Sequence, residues 1–311
     1  MSGFLLNPYA YGGADLYTFT NATFTSGGVS GRTGPALAQA IQGLSGTNVD
    51  AWKNNPAYFD VLNGFLLWTV PATGNYAITV AGAIGGQTST SRPGGQGAKL
   101  IISSYPLLKG TQLKILVGQT GLITGDSGGS GGGGASMIYN NSTDQLIAVA
   151  GGGGGGGTSI RGISCVDSSN GGAGTDFSGT AFANNGGTNG SGGNLNTGDI
   201  MGTCAWGGAG YTGDGPASSQ CGRSGGSAAI RLSSTAIGGL GEFGTGAGGF
   251  GGGGGGANSN GYGGGGGGYS GGGSGGYSGG GGGGGGGSLV VGASYTFQNN
   301  NSSGFVSVEK L

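Results

Sequence analysis

The sequence predicts an antiparallel β-sandwich that carries an inserted bundle of polyglycine II helices and one short N-terminal helix. Three observations lead there. Short apolar runs bounded by Gly, Pro and Asn recur from residue 58 to the C-terminus, which is the signature of strands. Of 311 residues, 90 are Gly, about fourfold the usual share of roughly 7%. The purest glycine runs also lie between strands, not at an end of the chain.

Each element follows from local pattern. Residues 15–25 (DLYTFTNATFT) alternate in part and read as a strand or hairpin. Residues 35–44 (PALAQAIQGL) place Leu37, Ile41 and Leu44 at spacings of four and three. That predicts a short amphipathic helix, with Thr33 or Gly34 near its cap and Pro35 in its first turn. Residues 65–70 (FLLWTV) form an apolar strand stopped by Pro71; 72–75 turn, and 76–81 (YAITVA) alternate with period two. Strands follow at 98–103 and 112–117, separated by a loop at Pro106, and at 145–150, which runs straight into the seven glycines 151–157. A short strand is expected at 228–232, and two more at 288–291 and 304–309. Many short antiparallel strands make a sandwich. The expected organisation is an N-terminal attachment region, 1–59, then a glycine-rich sandwich domain, 60–311, with a polyglycine insertion at about 151–287.

Between residues 248 and 287, 29 of 40 residues are Gly, with runs of six at 251–256 and 263–268 and of nine at 279–287. A flexible linker mixes Gly with Ser and joins domains. These runs are nearly pure, return to a strand, and are broken by aromatics. Polyglycine II is the alternative: an extended threefold helix rising ~3.1 Å per residue, with no internal hydrogen bonds, as in polyproline II. Its N–H and C=O groups point outward in three directions, and side-by-side packing pairs them, as buried backbone requires. Only Gly allows axes so close, for the reason collagen needs it. Nine residues would span about 28 Å at that rise. Glycine loses the most conformational freedom on folding, so each run should be anchored at its ends, and the aromatic breaks are the natural anchors. The expected backbone core includes Gly151, Gly154, Gly157, Gly251, Gly256, Gly263, Gly268, Gly279, Gly283 and Gly287.

Composition excludes several function classes. There is no His, so the commonest general base and metal ligand is missing, and a Ser or Cys nucleophile lacks its usual partner. Nine Asp and two Glu are scattered. Asp50 and Asp60 flank Trp52, Tyr58 and Phe59 and read as solvated. Asp126, Asp144, Asp167, Asp176, Asp199 and Asp214 fall in Gly/Ser/Asn-rich loops, where turn duty accounts for them; a Ca²⁺ site of loop oxygens stays open, without EF-hand spacing. GxGxxG matches arise by chance in such a chain, and no GxxxxGK[ST] occurs. No catalytic residue, metal site or cofactor is expected, and the chain does not read as an enzyme. Ten Lys and Arg spread over the chain make no basic stripe for nucleic acid. No apolar run approaches the ~20 residues of a membrane helix. Cys165, Cys204 and Cys221 are odd in number with no CxxC, so neither zinc nor a disulfide framework is indicated; a Cys204–Cys221 pair is open to the chain after release from a cell. The start, MSGFLLNPYA, has no basic n-region, so synthesis in a cytoplasm without a signal peptide is expected.

Two resemblances attach to particular residues. Trp68-Thr69-Val70-Pro71-Ala72-Thr73-Gly74-Asn75-Tyr76, Gly82-Ala83-Ile84-Gly85-Gly86, Gly94-Gly95-Gln96-Gly97-Ala98, Leu116-Val117-Gly118-Gln119, and Val149-Ala150 with its following glycines resemble the glycine-rich domain of the anaplastic lymphoma kinase and leukocyte tyrosine kinase receptors. The resemblance covers about residues 65–311 and implies a TNF-like or jelly-roll sandwich with inserted polyglycine helices. The chain departs from that family in having no signal, transmembrane or kinase part, so receptor signalling is not implied. Phe24, Gly31-Arg32-Thr33-Gly34-Pro35, Trp52, Tyr58-Phe59 and the Trp68 strand are similar to virion structural proteins of marine tailed phages. That likeness implies an N-terminal arm joined to a glycine-rich distal module, as in tip adhesins whose stacked polyglycine helices present their joining loops to the host.

The expected function is a phage virion structural protein, a tail-fibre or tail-tip adhesin contributing to host attachment. Residues 1–59 would meet other virion proteins, and Phe243, Phe250, Tyr262, Tyr269 and Tyr277 would contact a host surface receptor, aromatics offering contact area at low entropy cost. The competing reading buries the same rings as caps of the bundle. A homo-oligomer is expected, with a trimer favoured by analogy, located in the virion. The alternatives are a head-fibre, decoration or baseplate component without a receptor role; an ice-binding polyglycine bundle, which calls for G-x-x spacing that these uninterrupted runs lack; and a disordered glycine-rich matrix protein.

Overall fold

Period-two alternation of apolar side chains sorts most of the chain into two sheets. The computed structural model describes residues 14–123, 128–176, 178–180, 185–194, 205–216, 229–242, 246–257, 261–276 and 280–311. Their strands are β1 (Asn21–Phe24), β2 (Leu44–Ser45), β3 (Phe59–Leu62), β4 (Phe65–Thr69), β5 (Gly74–Ala81), β6 (Gly97–Leu107), β7 (Gln112–Leu116), β8 (Ser136–Asn140), β9 (Gln145–Ala150), β10 (Leu289–Val290), β11 (Thr296–Asn300) and β12 (Phe305–Lys310). They form two antiparallel six-stranded sheets, ordered β11-β6-β5-β12-β1-β2 and β10-β9-β8-β7-β4-β3. Alternation turns Tyr76, Ile78 and Val80 of β5 and Leu113 and Ile115 of β7 to one face each. With Trp68, Leu100 and Val306 they fill the space between the sheets, fully buried.

The N-terminal part belongs to this sandwich. β1 pairs with β12 from Asn21↔Glu309 to Phe24↔Val306 and with β2 on its other side. Trp52 is fully buried, edge-on to Phe59 at 6.0 Å and within 6.3 Å of Trp68. Residues 14–59 therefore share sheets and core with the strands beyond residue 60, and no structural boundary falls between 59 and 60. The helix α1 (Leu37–Gln42) is shorter than 35–44; Gln39 Oε1 accepts the N–H of Ala36 at its start and Gly43 caps its end. Its buried residue is Ala40, while Leu37 is partly exposed, at 38%.

Other expectations change for local reasons. β6 continues through Pro106, which pairs with Asn75. A strand tolerates Pro where it is an edge, and β11 covers β6 only from Gly97 to Ile101. Strands β8 and β11 carry no clear sequence signal: β8 is Ser-Met-Ile-Tyr-Asn and β11 is mostly polar and exposed at the sheet edge. Of the strand expected at 228–232, the described residues 229–232 are not a strand; Ile230 and Leu232 donate to Ile237 and Gly210 instead.

At one end of the sandwich the strands run on as glycine segments. β5 continues into 82–86, and β9 into 151–157; the segments 129–135 and 280–288 lead back into β8 and β10. Their hydrogen bonds repeat every third residue. Gly152 and Gly155 donate to Gly267 and Gly264, Gly153 and Gly156 to Ala83 and Gly86, and Gly154 and Gly157 to Ile163 and Ile160, all at 2.8–2.9 Å. A strand would alternate with period two and an α-helix would bond within itself. Period three, with every bond to another segment, is the polyglycine II arrangement.

The segment 263–268 is the most completely enclosed. Gly263 and Gly266 donate to Gly281 and Gly284, Gly264 and Gly267 to Ser130 and Gly133, and Gly265 and Gly268 to Trp206 and Ala209. Its carbonyls accept from Gly152 and Gly155, from Gly254, and from Gly272 and Gly275, and the Tyr262 carbonyl just before it accepts from Ala257. One threefold helix thus touches six neighbours, three by donation and three by acceptance. The insertion is also wider than 151–287, because 82–86 and 129–135 are members of the same array.

Of the glycines expected in this core, Gly151, Gly154, Gly157, Gly256, Gly263, Gly268, Gly283 and Gly287 are buried and engaged in it, and Gly279 lies outside the described residues. Gly251 differs: with φ of 102° it opens a turn with Gly252, at 78°, so 251–256 is not one uninterrupted helix.

A Cβ has no room in the array. At Gly283 it would stand 2.1 Å from the carbonyl oxygen of Gly264, and at Gly154 1.9 Å from that of Gly283. At Gly172 the nearest atoms would be 3.4 Å away, an ordinary contact. Gly283→Ala is therefore expected to lower stability by about 1–3 kcal/mol or more, and Gly172→Ala by less than about 0.5 kcal/mol; equal melting curves for the two would contradict the packing described. A second expectation concerns exchange. Amides 263–268 should be protected from hydrogen exchange as strongly as those of β5, since protected amides mark structure that opens only with the fold. Exchange at the rate of a free glycine linker would refute it.

Candidate functional site

The outer face of the second sheet is not left to solvent. Phe65, Leu116, Met137 and Val149 point away from the inter-sheet core and meet Ala209, Leu232, Ala236 and Phe250 from the glycine-rich segments. This second core fastens the bundle to the sandwich. Phe250 is its wedge: 1% exposed, it packs edge-on to Phe65 at 5.9 Å where Gly34 and Gly64 cross. A Cβ on either glycine would strike that ring or the opposite glycine.

The five aromatic residues expected to contact a receptor have different fates. Phe250 and Tyr262 are buried, the latter fully, with Ala205 and Ala257. Neither ring offers area to a ligand, because each anchors a glycine segment that has no side chains of its own to bury. Phe243 and Tyr277 lie outside the described residues. Tyr269 is half-buried, and its ring stacks on Tyr211 at 6.3 Å and 16°.

That stack backs a cleft of about 290 Å³ where sheet and bundle meet. Its floor is set by strand register. Leu113 and Ile115 face the core, so Lys114 faces out, directly across from Tyr139 of β8. The β8–β9 pairing skips Ile147 between Ile138↔Ala148 and Tyr139↔Leu146, a bulge of the kind that re-aims side chains. Tyr139 donates its hydroxyl to Asp144, which sits at φ 58° in the following turn. The opposite wall is Tyr211 and Ser233: the Tyr211 N–H donates to the Tyr269 carbonyl at 2.7 Å and the Ser233 N–H to the Tyr211 carbonyl at 2.9 Å.

The electrostatics of the cleft are unusual for so uncharged a chain. Lys114 Nζ lies 3.9 Å from the centroid of the Phe65 ring, a cation–π contact, and burial lowers its pKa. Burial raises the pKa of the Tyr139 hydroxyl, and the Asp144 carboxylate raises it further. Tyr211 is raised by burial and by the charge of Asp144. None of these residues stands out in the sequence except Asp144, which reads there as a turn residue; Lys114 as a lone cation in an apolar strand is the one available signal.

A larger, apolar groove of about 640 Å³ lies beside the bundle, with Ile84, Pro93, Leu122 and Ile123 in its walls. The loop carboxylates hold turns and ties. Asp176 Oδ1 accepts from the backbone of Ser178 and Thr180 and from the Ser178 hydroxyl, Asp214 meets Arg231, and Asp167 accepts from Tyr295. Among the described residues no cluster of three or more metal-ligating side chains occurs. Cys165 is a buried free thiol, its pKa pushed up to about 12 mainly by burial. Among the described residues no helix is long and apolar enough to cross a membrane.

The raised phenols carry a pH consequence. A folded-state pKa above the unfolded value of about 10 leaves stability intact below that pH and erodes it above. Tyr76, pushed up to about 12 by burial, adds to the same trend. Phenolate absorbance should therefore lag behind that of free tyrosine above pH ~10, and Tyr139→Phe and Tyr211→Phe should each remove a late-titrating component. Titration at the free-tyrosine value in the folded protein would contradict the burial described.

No family model matches this sequence. The chain is 33% identical over 98 residues, 32% of its length, to the leukocyte tyrosine kinase receptor of Mus musculus, and it spans 11% of that protein's length. The similarity supports kinship with a glycine-rich module of that type of receptor and goes no further.

Proposed function

We propose that the chain is a phage virion structural protein, a tail-fibre or tail-tip adhesin that contributes to host attachment. The observation that carries this reading is the polarity of the folded unit. The Leu16 N–H donates to Pro71 and the Leu311 N–H to Asn75, both at the turn end of the sandwich, while the glycine segments leave from the opposite end. A body held at the first end would project the bundle outward. A bundle cored by backbone is a rigid mount for its joining loops, and loops on rigid scaffolds are where recognition concentrates.

In this reading the N-terminal region of the chain meets other virion proteins, and the unit works as a homo-oligomer, a trimer by analogy. Residues 14–59 serve there as part of the sandwich rather than as a separate arm. The receptor likeness contributes the module alone; tyrosine kinase activity forms no part of the proposal, since 11% of that protein is matched.

Immunogold electron microscopy of virions with antibody to this chain tests the reading. Label at fibre or tail tips is the expected result. Label confined to the head, shaft or baseplate would replace the adhesin with a non-adhesive structural role, and absence of label from every particle would overturn the virion assignment.

A further inference from the structure

Lys114 presents an unusual balance. Its side chain is half-buried, its ammonium lies over the face of Phe65, and no hydrogen bond or ion pair engages its three donors among the described residues. A partly desolvated cation without an acceptor is costly unless something supplies one. The cleft around it bears hydroxyls, from Tyr139, Tyr211 and Ser233, with Asn141 and the Asp144 carboxylate at the rim; that carboxylate accepts the Tyr139 hydroxyl and makes no ion pair with Lys114. The Tyr211 ring is held in place by its stack on Tyr269.

We infer that this cleft binds one carboxylate-bearing sugar ring of a surface polysaccharide. The Lys114 ammonium takes the carboxylate, as a charge-assisted hydrogen bond favours. The apolar C–H face of the sugar lies against Tyr211, an amphipathic ring suited to a ligand apolar on one side and wet on the other. Asp144 and Asn141 accept and donate to ring hydroxyls. At about 290 Å³ the cleft falls at or below the ~300 Å³ lower bound of pockets for drug-sized ligands, which leaves room for one ring.

The charge count selects the ligand class. A phosphate would bring two charges to a single lysine, beside the Asp144 carboxylate, with none of the bidentate arginine geometry that phosphate sites favour. A neutral sugar would leave Lys114 without its anion. One negative charge, several hydroxyls and an apolar face together describe a uronic acid residue. The inference deepens the adhesin reading, on which it rests for the source of the polysaccharide, by naming the surface chemistry recognised.

The test uses the whole chain with galacturonate, its short oligomers, and galactose as the neutral comparison, followed by calorimetry and by NMR shifts. Saturable galacturonate binding, at least about tenfold tighter than galactose, is expected, as one charge-assisted contact is worth that much. It should weaken with salt. Lys114→Met should abolish the preference for galacturonate over galactose, and Tyr211→Ala should weaken both sugars. An unchanged melting curve for Lys114→Met separates loss of the site from loss of the fold; if that variant does not fold, Ser233→Trp, which fills the cleft from an exposed position, replaces it and should block binding. Failure of galacturonate to bind, equal affinity for galactose, or binding indifferent to these variants would overturn the inference. Tip labelling of virions without uronate binding would sink this site alone, and uronate binding without tip labelling would sink the adhesin reading alone.

Discussion

The distance between a glycine Cα and its neighbour's carbonyl oxygen governs this molecule. In the bundle that spacing leaves no room for a Cβ: at Gly265 and Gly266 an added carbon would stand 2.0 and 2.1 Å from the oxygens of Gly272 and Gly152. Because the axes are so close, most N–H groups reach a carbonyl on another segment, with Gly151 and Gly282 donating to the Ser288 and Thr175 hydroxyls instead, and period-three pairing satisfies backbone that lies far from water. A net gain of about 0.5–1.5 kcal/mol per hydrogen bond is small against the entropy of ordering glycine. The array therefore depends on being complete, since each segment supplies both donors and acceptors to others.

The sandwich makes that completeness attainable. Strands β5 and β9 deliver the segments 82–86 and 151–157 already oriented, and β8 and β10 receive 129–135 and 280–288. One end of each of these four segments is thus fixed by ordinary sheet pairing and side-chain burial. Phe250 and Tyr262 add clamps within the array, as does the second core against the outer sheet face. Side chains hold the perimeter, and backbone fills the middle.

The sequence makes the middle easy to read and the perimeter harder. Pure glycine runs that return to a strand point to polyglycine II, and alternation in 76–81 and 112–117 points to the sandwich. Residues 82–86 and 129–135 escape notice because about two threefold turns in mixed sequence resemble a loop until their partners are known. Placement of β1 beside β12 is a contact between the two ends of the chain, which local pattern cannot carry. The site is less legible still. Tyr211 and Lys114 are about a hundred residues apart, and the cleft exists only because bundle and sheet meet there. The aromatic breaks stand out in the sequence, yet for Phe250 and Tyr262 their role is anchoring, since a segment without side chains takes its anchors from its interruptions.

A core made of peptide groups also changes how the fold responds to temperature. Exposing apolar surface raises the heat capacity on unfolding by about 0.45 cal/K/mol per Å², whereas exposing polar surface lowers it by about 0.26. The two sheets contribute the first kind of surface and the glycine array mostly the second. The opposing signs shrink the heat-capacity change per residue and flatten the curve of free energy against temperature. Cooling weakens the hydrophobic stabilisation of the two side-chain cores, while the glycine array, held by peptide hydrogen bonds, adds little to that loss.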